Sequence, residues 1–328
     1  MNQHVGGEEL QSYPVELIFP NLEDYAAGNG GIPYVYTFDS GRAGPHVMIN
    51  ALTHGNEVCG AIVVKALLDH EVRPRLGQLT LSFANVLAFL RFDPAHPDGS
   101  RFVDQDFNRV WDAGVLDNVR LDSHELRRAR ELRPVVDEVD LLLDLHSMHE
   151  RSSPLIMAGP LDRAADLGRA LGRPDIIIRD AGHSDGRRLR DYREFGDPAS
   201  AKNALVIECG QHWELGAVDI ARTATARFLE LAGVIERSDL DASWWVDPSP
   251  DGSPRVIQIT DAVVATSMDF RFAQPFVGLE RLAEAGTVIG WQDGQPVRTP
   301  YDDCILVQPS LRQLRPGVTV VRLGRIQD

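Results

Sequence analysis

The stretch Val47-Met48-Ile49-Asn50-Ala51-Leu52-Thr53-His54-Gly55-Asn56-Glu57-Val58-Cys59-Gly60, continued by Ala61-Ile62-Val63-Val64-Lys65-Ala66-Leu67-Leu68, decides the fold class. The first four residues form an apolar run of strand length, and the last eight read as a buried helix. His54 and Glu57 therefore fall where a strand gives way to a helix. Open α/β sheets form ligand sites at the carboxyl ends of their strands. A His and a Glu three residues apart can turn onto one point, as a zinc ion requires. The pair alone is not specific: with ten His in the chain, about one H-x-x-E pair is expected by chance. The plainer reading is a His at a helix start and a first-turn Glu favoured by the helix dipole.

Working outward, strands are predicted at Val15 to Phe19, Tyr34 to Phe38, Leu79 to Val86, Asp140 to Ser147, Pro154 to Ala158, Ile176 to Ile178 and Ala204 to Glu208. A helix after the opening strand runs to about Val72. Ser123 is placed to cap a second, through about Val139, because Leu126, Ala129, Leu132 and Val136 recur at spacings of three and four. Further helices fit Leu161 to Leu171 and Ala217 to Ile235. This alternation predicts an α/β domain over residues 1–237, a mostly parallel mixed sheet flanked by helices. Residues 238–254, with Asp247-Pro248-Ser249-Pro250-Asp251-Gly252-Ser253-Pro254, read as a linker. Residues 255–328 carry short strands, Val256 to Ile259, Val263 to Thr266, Thr287 to Gly290, Cys304 to Val307 and Val318 to Val321, and read as a small C-terminal all-β domain.

Composition narrows the function. Hydrophobic residues make up 43% of the 328 and charged residues 25%, the balance of a soluble globular protein. A net charge of −15 argues against a nucleic-acid partner and against binding to an anionic membrane. Cys59, Cys209 and Cys304 are odd in number and form no CxxC, which suits a reducing cytoplasm better than a disulfide framework. The N-terminus has neither the basic nor the apolar region of a signal peptide.

Three further constellations carry chemistry. Asp144 and His146 share one face of a buried strand that ends on polar residues. His146 is preferred over the nearby His149, which points away at i+3; the plainer reading is a core His held by a carboxylate. Asp106-Phe107-Asn108-Arg109, with Arg101 before it, lies on the long irregular segment Arg91 to Trp111. Irregular segments of that length are often functional, and an Asn beside an Arg can grip a carboxylate. The plainer reading is a surface ion pair. Glu208 closes the apolar strand Leu205-Val206-Ile207, where partial burial would raise its pKa toward that of a general base; a strand-end Glu in solvent is the plainer reading.

Together, in this order, His54-x-x-Glu57, Asp106-Phe107-Asn108-Arg109, Asp144-Leu145-His146 and Ile207-Glu208-x-Gly210 resemble the succinylglutamate desuccinylase/aspartoacylase family, within the zinc carboxypeptidase-like superfamily. The resemblance covers most of the chain. It implies that His54, Glu57 and His146 hold one zinc ion and that Glu208 is the general base and acid. It implies that Arg101 polarises the scissile carbonyl, that Asn108 and Arg109 hold a substrate carboxylate, and that Asp106 orients a ligand His, with His54 the one expected. The implied activity is hydrolysis of an N-acyl amino acid or similar anionic amide by zinc-activated water. Rival readings are a zinc carboxypeptidase acting on short peptides and a non-catalytic zinc-binding protein on the same scaffold. A homo-oligomer is compatible with the sequence.

The sequence departs from aspartoacylases in one place. The region Asp197 to Asn203, where a further substrate-binding Arg is expected, offers only Lys202 as a cation. Arg187, Arg188, Arg190 and Arg193 lie upstream, on a segment that reads as a lid. Tyr301 is a weaker substrate-facing candidate than a turn residue.

Overall fold

A computed structural model describes residues 4–5, 8–9, 11–182, 185–246 and 254–327 of the chain. Its centre is a mixed sheet. In chain order the strands are β1 (Val35–Asp39), β2 (His46–Ala51), β3 (Gln78–Phe83), β4 (Leu141–Met148), β5 (Leu155–Met157), β6 (Ile176–Arg179) and β7 (Asn203–Gln211), followed by β8 (Arg255–Val264). The chain continues through β9 (Arg271–Phe272), β10 (Glu280–Leu282), β11 (Val288–Gln292), β12 (Gln295–Arg298), β13 (Cys304–Val307) and β14 (Thr319–Gln327). Among the described residues the main sheet runs β10-β13-β14-β8-β6-β5-β7-β4-β2-β3-β1. Its core, β3-β2-β4-β7, is parallel.

Both faces of that core are covered, so its strands read as continuous apolar runs. On β2, Val47, Ile49 and Ala51 pack to one side, against helices α1 (Val58–Asp69), α3 (Asp162–Leu171) and α4 (Gly216–Leu231). Met48 packs to the other, against α2 (His124–Glu138). The predicted face of α2 is the buried one: Leu126, Ala129, Leu132 and Val136 are all in the core, and Ser123 Oγ accepts from the Leu126 N–H at 3.0 Å to cap the helix. Register then builds the site. Parallel pairing sets His146 on β4 beside Glu208 on β7, at the carboxyl ends of both strands.

Several local expectations are corrected. Val15 to Phe19 forms no strand; Leu17 is buried and Ile18 is 88% exposed, but the segment only lies over the fold, tied by Glu16 N–H to Trp213 O. A surface-lying extended segment shares the alternation of a strand without its ladder. The strand predicted to Val86 ends at Phe83, because Asn85 caps a helical turn at Val86–Phe89. The runs predicted at Val256 to Ile259 and Val263 to Thr266 meet in one strand, β8, which ends at Val264 and has a register shift between Ile259 and Asp261.

β8 pairs in parallel with β6 through Val256↔Ile177, so the main sheet runs on into the C-terminal segment. There it continues antiparallel through β14, β13 and β10, while β9, β11 and β12 make a separate three-stranded sheet. The apolar Val256 and Ile257 cover what would otherwise be an open sheet edge. Of the predicted linker, residues 247–253 lie outside the described residues, and Ala242–Trp244 is a 3₁₀ turn that buries Trp244.

Candidate active site

Immediately after β2 the backbone turns through Leu52, at φ 58°, and delivers His54, Gly55 and Glu57 to the N-terminus of α1. Gly55 is fixed by crowding. A Cβ there would sit 2.3 Å from Ser100 O and 2.4 Å from Ala88 C. Its N–H donates to Arg101 O at 3.0 Å, which ties the ligand turn to the long loop.

His54, Glu57 and His146 converge. Their donor atoms all lie within 4.8 Å of one another, and all three residues are buried. His54 Nδ1 is 2.8 Å from Glu57 Oε1, and His146 Nδ1 is 2.8 Å from Glu57 Oε2. Yet Glu57 Oε2 has no hydrogen bond of acceptable geometry. A buried carboxylate oxygen and a ring nitrogen aimed at common space without a shared proton form the donor set of a cation. The outer nitrogens are held by carboxylates: His54 Nε2 on Asp106 Oδ1 at 2.9 Å, His146 Nε2 on Asp144 Oδ2 at 2.8 Å. A carboxylate on the outer nitrogen favours the tautomer that turns a bare Nδ1 toward the ligand point; at His54 the Arg101 Nη2 also lies 2.9 Å from that outer nitrogen. Asp144 is itself held by Asn50 and Thr53 at 2.8 and 2.9 Å.

Without a metal the charges in this set pair with one another. Burial opposes ionisation of Glu57, but His54 and His146 outweigh it and hold the carboxyl well below its usual range. Burial likewise disfavours the charged form of His146, and Asp144 and Glu57 overcome it to raise the imidazole well above its ordinary value.

Glu208 has the opposite fate. Burial, with a contribution from Glu57, pushes it up to about 7 against the opposing pull of His146, Gln308 and Arg101. Its Oε1 accepts from Gln308 Nε2 at 2.9 Å, and its Oε2 is buried without a hydrogen-bond partner among the described residues.

Arg101 leans onto the ligand set: Nη1 lies 3.0 Å from Glu57 Oε1 and Nη2 lies 3.4 Å from Asp106 Oδ2. Asn108 Oδ1 accepts from the Leu189 N–H at 2.9 Å, so its side chain has its Nδ2 donor left to offer. Arg109 bonds Asp185 through Nε at 3.0 Å. All nine side chains singled out from sequence thus lie in this region. Seven of them, all but Asp106 and Asp144, line one cleft with a cavity volume of about 150 Å³, and those two sit behind the His rings.

Residues 43–232 match the sequence profile of the succinylglutamate desuccinylase/aspartoacylase catalytic domain. The chain belongs to that family. A probable aspartoacylase of Nostoc sp. is 33% identical over 118 residues, 34% of this chain and 37% of that protein, so the match spans about a third of that relative. Succinylglutamate desuccinylases of Vibrio cholerae and Vibrio parahaemolyticus share the fold. They are 16% and 15% identical, with TM-scores of 0.67 and 0.63, and each comparison covers 90% of this chain and 86% of the other. Members of the family are deacylating amide hydrolases.

The cleft also includes residues that sequence reasoning did not single out. Gln308, Ser310 and Arg322 enter the cleft from the C-terminal segment, beyond the matched span. Arg322 is a charge within the apolar run Val320-Val321-Arg322-Leu323, and Gln308 closes the apolar strand β13; the strand-end logic that found Glu208 would have found Gln308.

Of the four upstream arginines, Arg188 lines the cleft. It is locked bidentately to Asp180 at 2.9 Å for both bonds. Arg190 is buried on Asp191 and Ala158 O, whereas Arg187 and Arg193 pair at the surface with Asp112 and Asp137. The segment is therefore pinned at two buried points, unlike a lid. Lys202 is tied to Glu194 and Asp137 O. Tyr301 bonds Thr260 and stacks under Arg325, outside the cleft lining. His149 is not in the converging set; it meets His212 at 3.1 Å.

Proposed function

We propose that the protein is a zinc-dependent deacylase that hydrolyses the amide of a small N-acyl amino acid. The carrying observation is the convergence of His54, Glu57 and His146 in one cleft with Glu208 and Arg101. Two imidazoles and a carboxylate suit zinc and leave a coordination position open. Bound there, zinc supplies a Lewis acid that acidifies water and stabilises charge on a carbonyl oxygen.

The chain's own residues supply the rest. Glu208, ionised, takes a proton as water adds to the acyl carbon. Arg101 donates to the carbonyl oxygen as charge gathers there. The C–N bond then breaks and Glu208 returns the proton to the leaving nitrogen, giving a free carboxylate and a free amine. Asn108 Nδ2 and the Arg109 guanidinium take the substrate carboxylate.

The small cleft, walled on one side by Gln308, Ser310 and Arg322, supports a small acyl amino acid over a peptide that would need room upstream. The mixed sheet with its site at the strand ends supports a carboxypeptidase-like scaffold. The buried, unpaired Cys59, Cys209 and Cys304 support a reducing compartment such as the cytoplasm. No helix among the described residues is long and apolar enough to cross a membrane.

The test is metal analysis of purified protein, then assay of the zinc-loaded enzyme on a panel of N-acyl amino acids and blocked dipeptides. Expected are one zinc per chain, lost in His146→Ala, and release of the amino acid from at least one N-acyl substrate. Hydrolysis of the dipeptides alone, or full activity in His146→Ala, overturns the reading.

A further inference from the structure

The C-terminal segment places one polar side chain on the proposed general base. Gln308 follows β13 and holds φ 51°, a left-handed conformation that a non-glycine residue adopts only under constraint. Its Nε2 is 2.9 Å from Glu208 Oε1, and its Oε1 is 3.2 Å from Arg322 Nη1.

The orientation of this amide is decided by its other neighbour. A guanidinium only donates. Arg322 must therefore meet the amide oxygen, which turns the NH₂ toward Glu208. Arg322 is held in turn: it is buried on β14, where it pairs in register with Val307, the residue before Gln308. Its Nε lies 3.6 Å from Asp180 Oδ2, and Asp180 is clamped by Arg188. The amide cannot flip without setting its NH₂ against a cation. Glu208 Oε1 is thus fixed as an acceptor, and Oε2, buried and without a partner, is the oxygen left to carry a proton.

We infer that Gln308 is a positioning residue for Glu208, set by Arg322, that commits Oε1 to a hydrogen bond and presents Oε2 to the reacting atoms. The inference rests on the deacylase reading above and names a residue outside the span that matches the family's catalytic domain. It acts through orientation, and misplacement of a reacting group by about 1 Å costs on the order of 100-fold in rate.

The experiment compares Gln308→Leu and Gln308→Met, both lacking the amide and close to Gln in size, in the wild-type and Glu208→Gln backgrounds. Expected for either variant are a kcat lower by about tenfold to 100-fold, a KM changed by less than about twofold, and zinc content and Tm equal to wild type. In the Glu208→Gln background the same change should cost nothing more, because groups that act as a unit are non-additive. Equal loss in both backgrounds, or wild-type kcat in a folded variant, overturns the inference.

A readout independent of turnover keeps it separate from the function. Infrared difference spectra assign the Glu208 carboxyl band by its absence in Glu208→Gln, and that band should shift in Gln308→Leu. An unmoved band overturns the positioning role even with no substrate known. A zinc-loaded wild type that cleaves nothing in the panel overturns the deacylase reading instead.

Discussion

Glu208 shows how one residue's surroundings set its chemistry. A carboxyl in water ionises near pH 4, and burial beside Glu57 lifts this one to about 7. As the base it works ionised, so kcat/KM should rise with pH through its pKa and flatten above it. A bound cation a few ångströms away favours the ionised form and moves that limb lower. The pH–rate profile should therefore show an acid limb at or below about 7. Glu208→Gln should keep its zinc, lose about 10²- to 10⁴-fold in kcat and lose the limb; a limb that survives the substitution assigns it to another group. His146→Ala should instead release the metal. In apo protein a proton competes for His146, so zinc affinity should fall as pH falls, measurable by titration at two pH values. These residues were legible because each ends an apolar strand or opens a helix, where side chains must converge. The partners of Glu208 were less so. Gln308 is 100 positions away, and nothing local in sequence states which strand ends the tertiary pairing brings together.

At the scale of the element, the ligand turn depends on the absence of a side chain. A Cβ at Gly55 would press into backbone atoms of Ser100, Ala88 and Phe89, which cannot rotate aside as a side-chain tip would. Gly55→Ala should then destabilise the protein by about 1–3 kcal/mol and disturb the spacing of His54 and Glu57. Differential scanning calorimetry and zinc stoichiometry check both; an unchanged Tm with full zinc would mean that the loop yields freely. The turn's position was readable from the switch between strand and helix patterns. The crowding was not, because it comes from the loop at Ser100 and the helical turn after Asn85, both distant in sequence. The same limit explains Val15 to Phe19. Its alternation records one buried side, as a strand's would, but a ladder needs a partner edge, and none of the described strands offers one there. Conversely, the Asn85 cap shortened β3 by a local rule that an apolar run conceals.

Across the whole molecule, the C-terminal segment and the parallel core are joined by charge as well as by sheet. Burial resists ionisation of Asp180, but Arg188 and then Arg322 hold it ionised, down to about 2. Its folded pKa lies below the unfolded value of about 3.9, so this contribution is complete above about pH 4–5 and lost as pH falls toward 2. Asp180→Asn removes the carboxylate that Arg188 grips with both terminal nitrogens, leaving Asp191 as that guanidinium's remaining charge partner, and should cost about 1.5–3 kcal/mol, read from chemical denaturation at pH 7, with the gap to wild type closing in acid.

The composition of residues 255–328 suggested short strands; β9 to β13 are short, but β8 and β14 run to ten and nine residues, and which sheet they enter depended on the exposed edge of β6, a feature of the assembled core. From that edge follows a prediction about truncation. Removing residues 255–328 would strip β8 from β6, take Arg322 from Asp180 and take Gln308 from Glu208. It would also bare the apolar side chains Ile176, Ile178 and Met157, which pack against Ile257, Ile305 and Val307. An open edge beside uncovered apolar surface pairs with other copies. A fragment ending at residue 254 should therefore partition to the insoluble fraction or elute as an aggregate in gel filtration, and should not bind zinc stoichiometrically. A monodisperse fragment with a sharp thermal transition and one zinc per chain would show that the parallel core folds without the segment that completes its cleft.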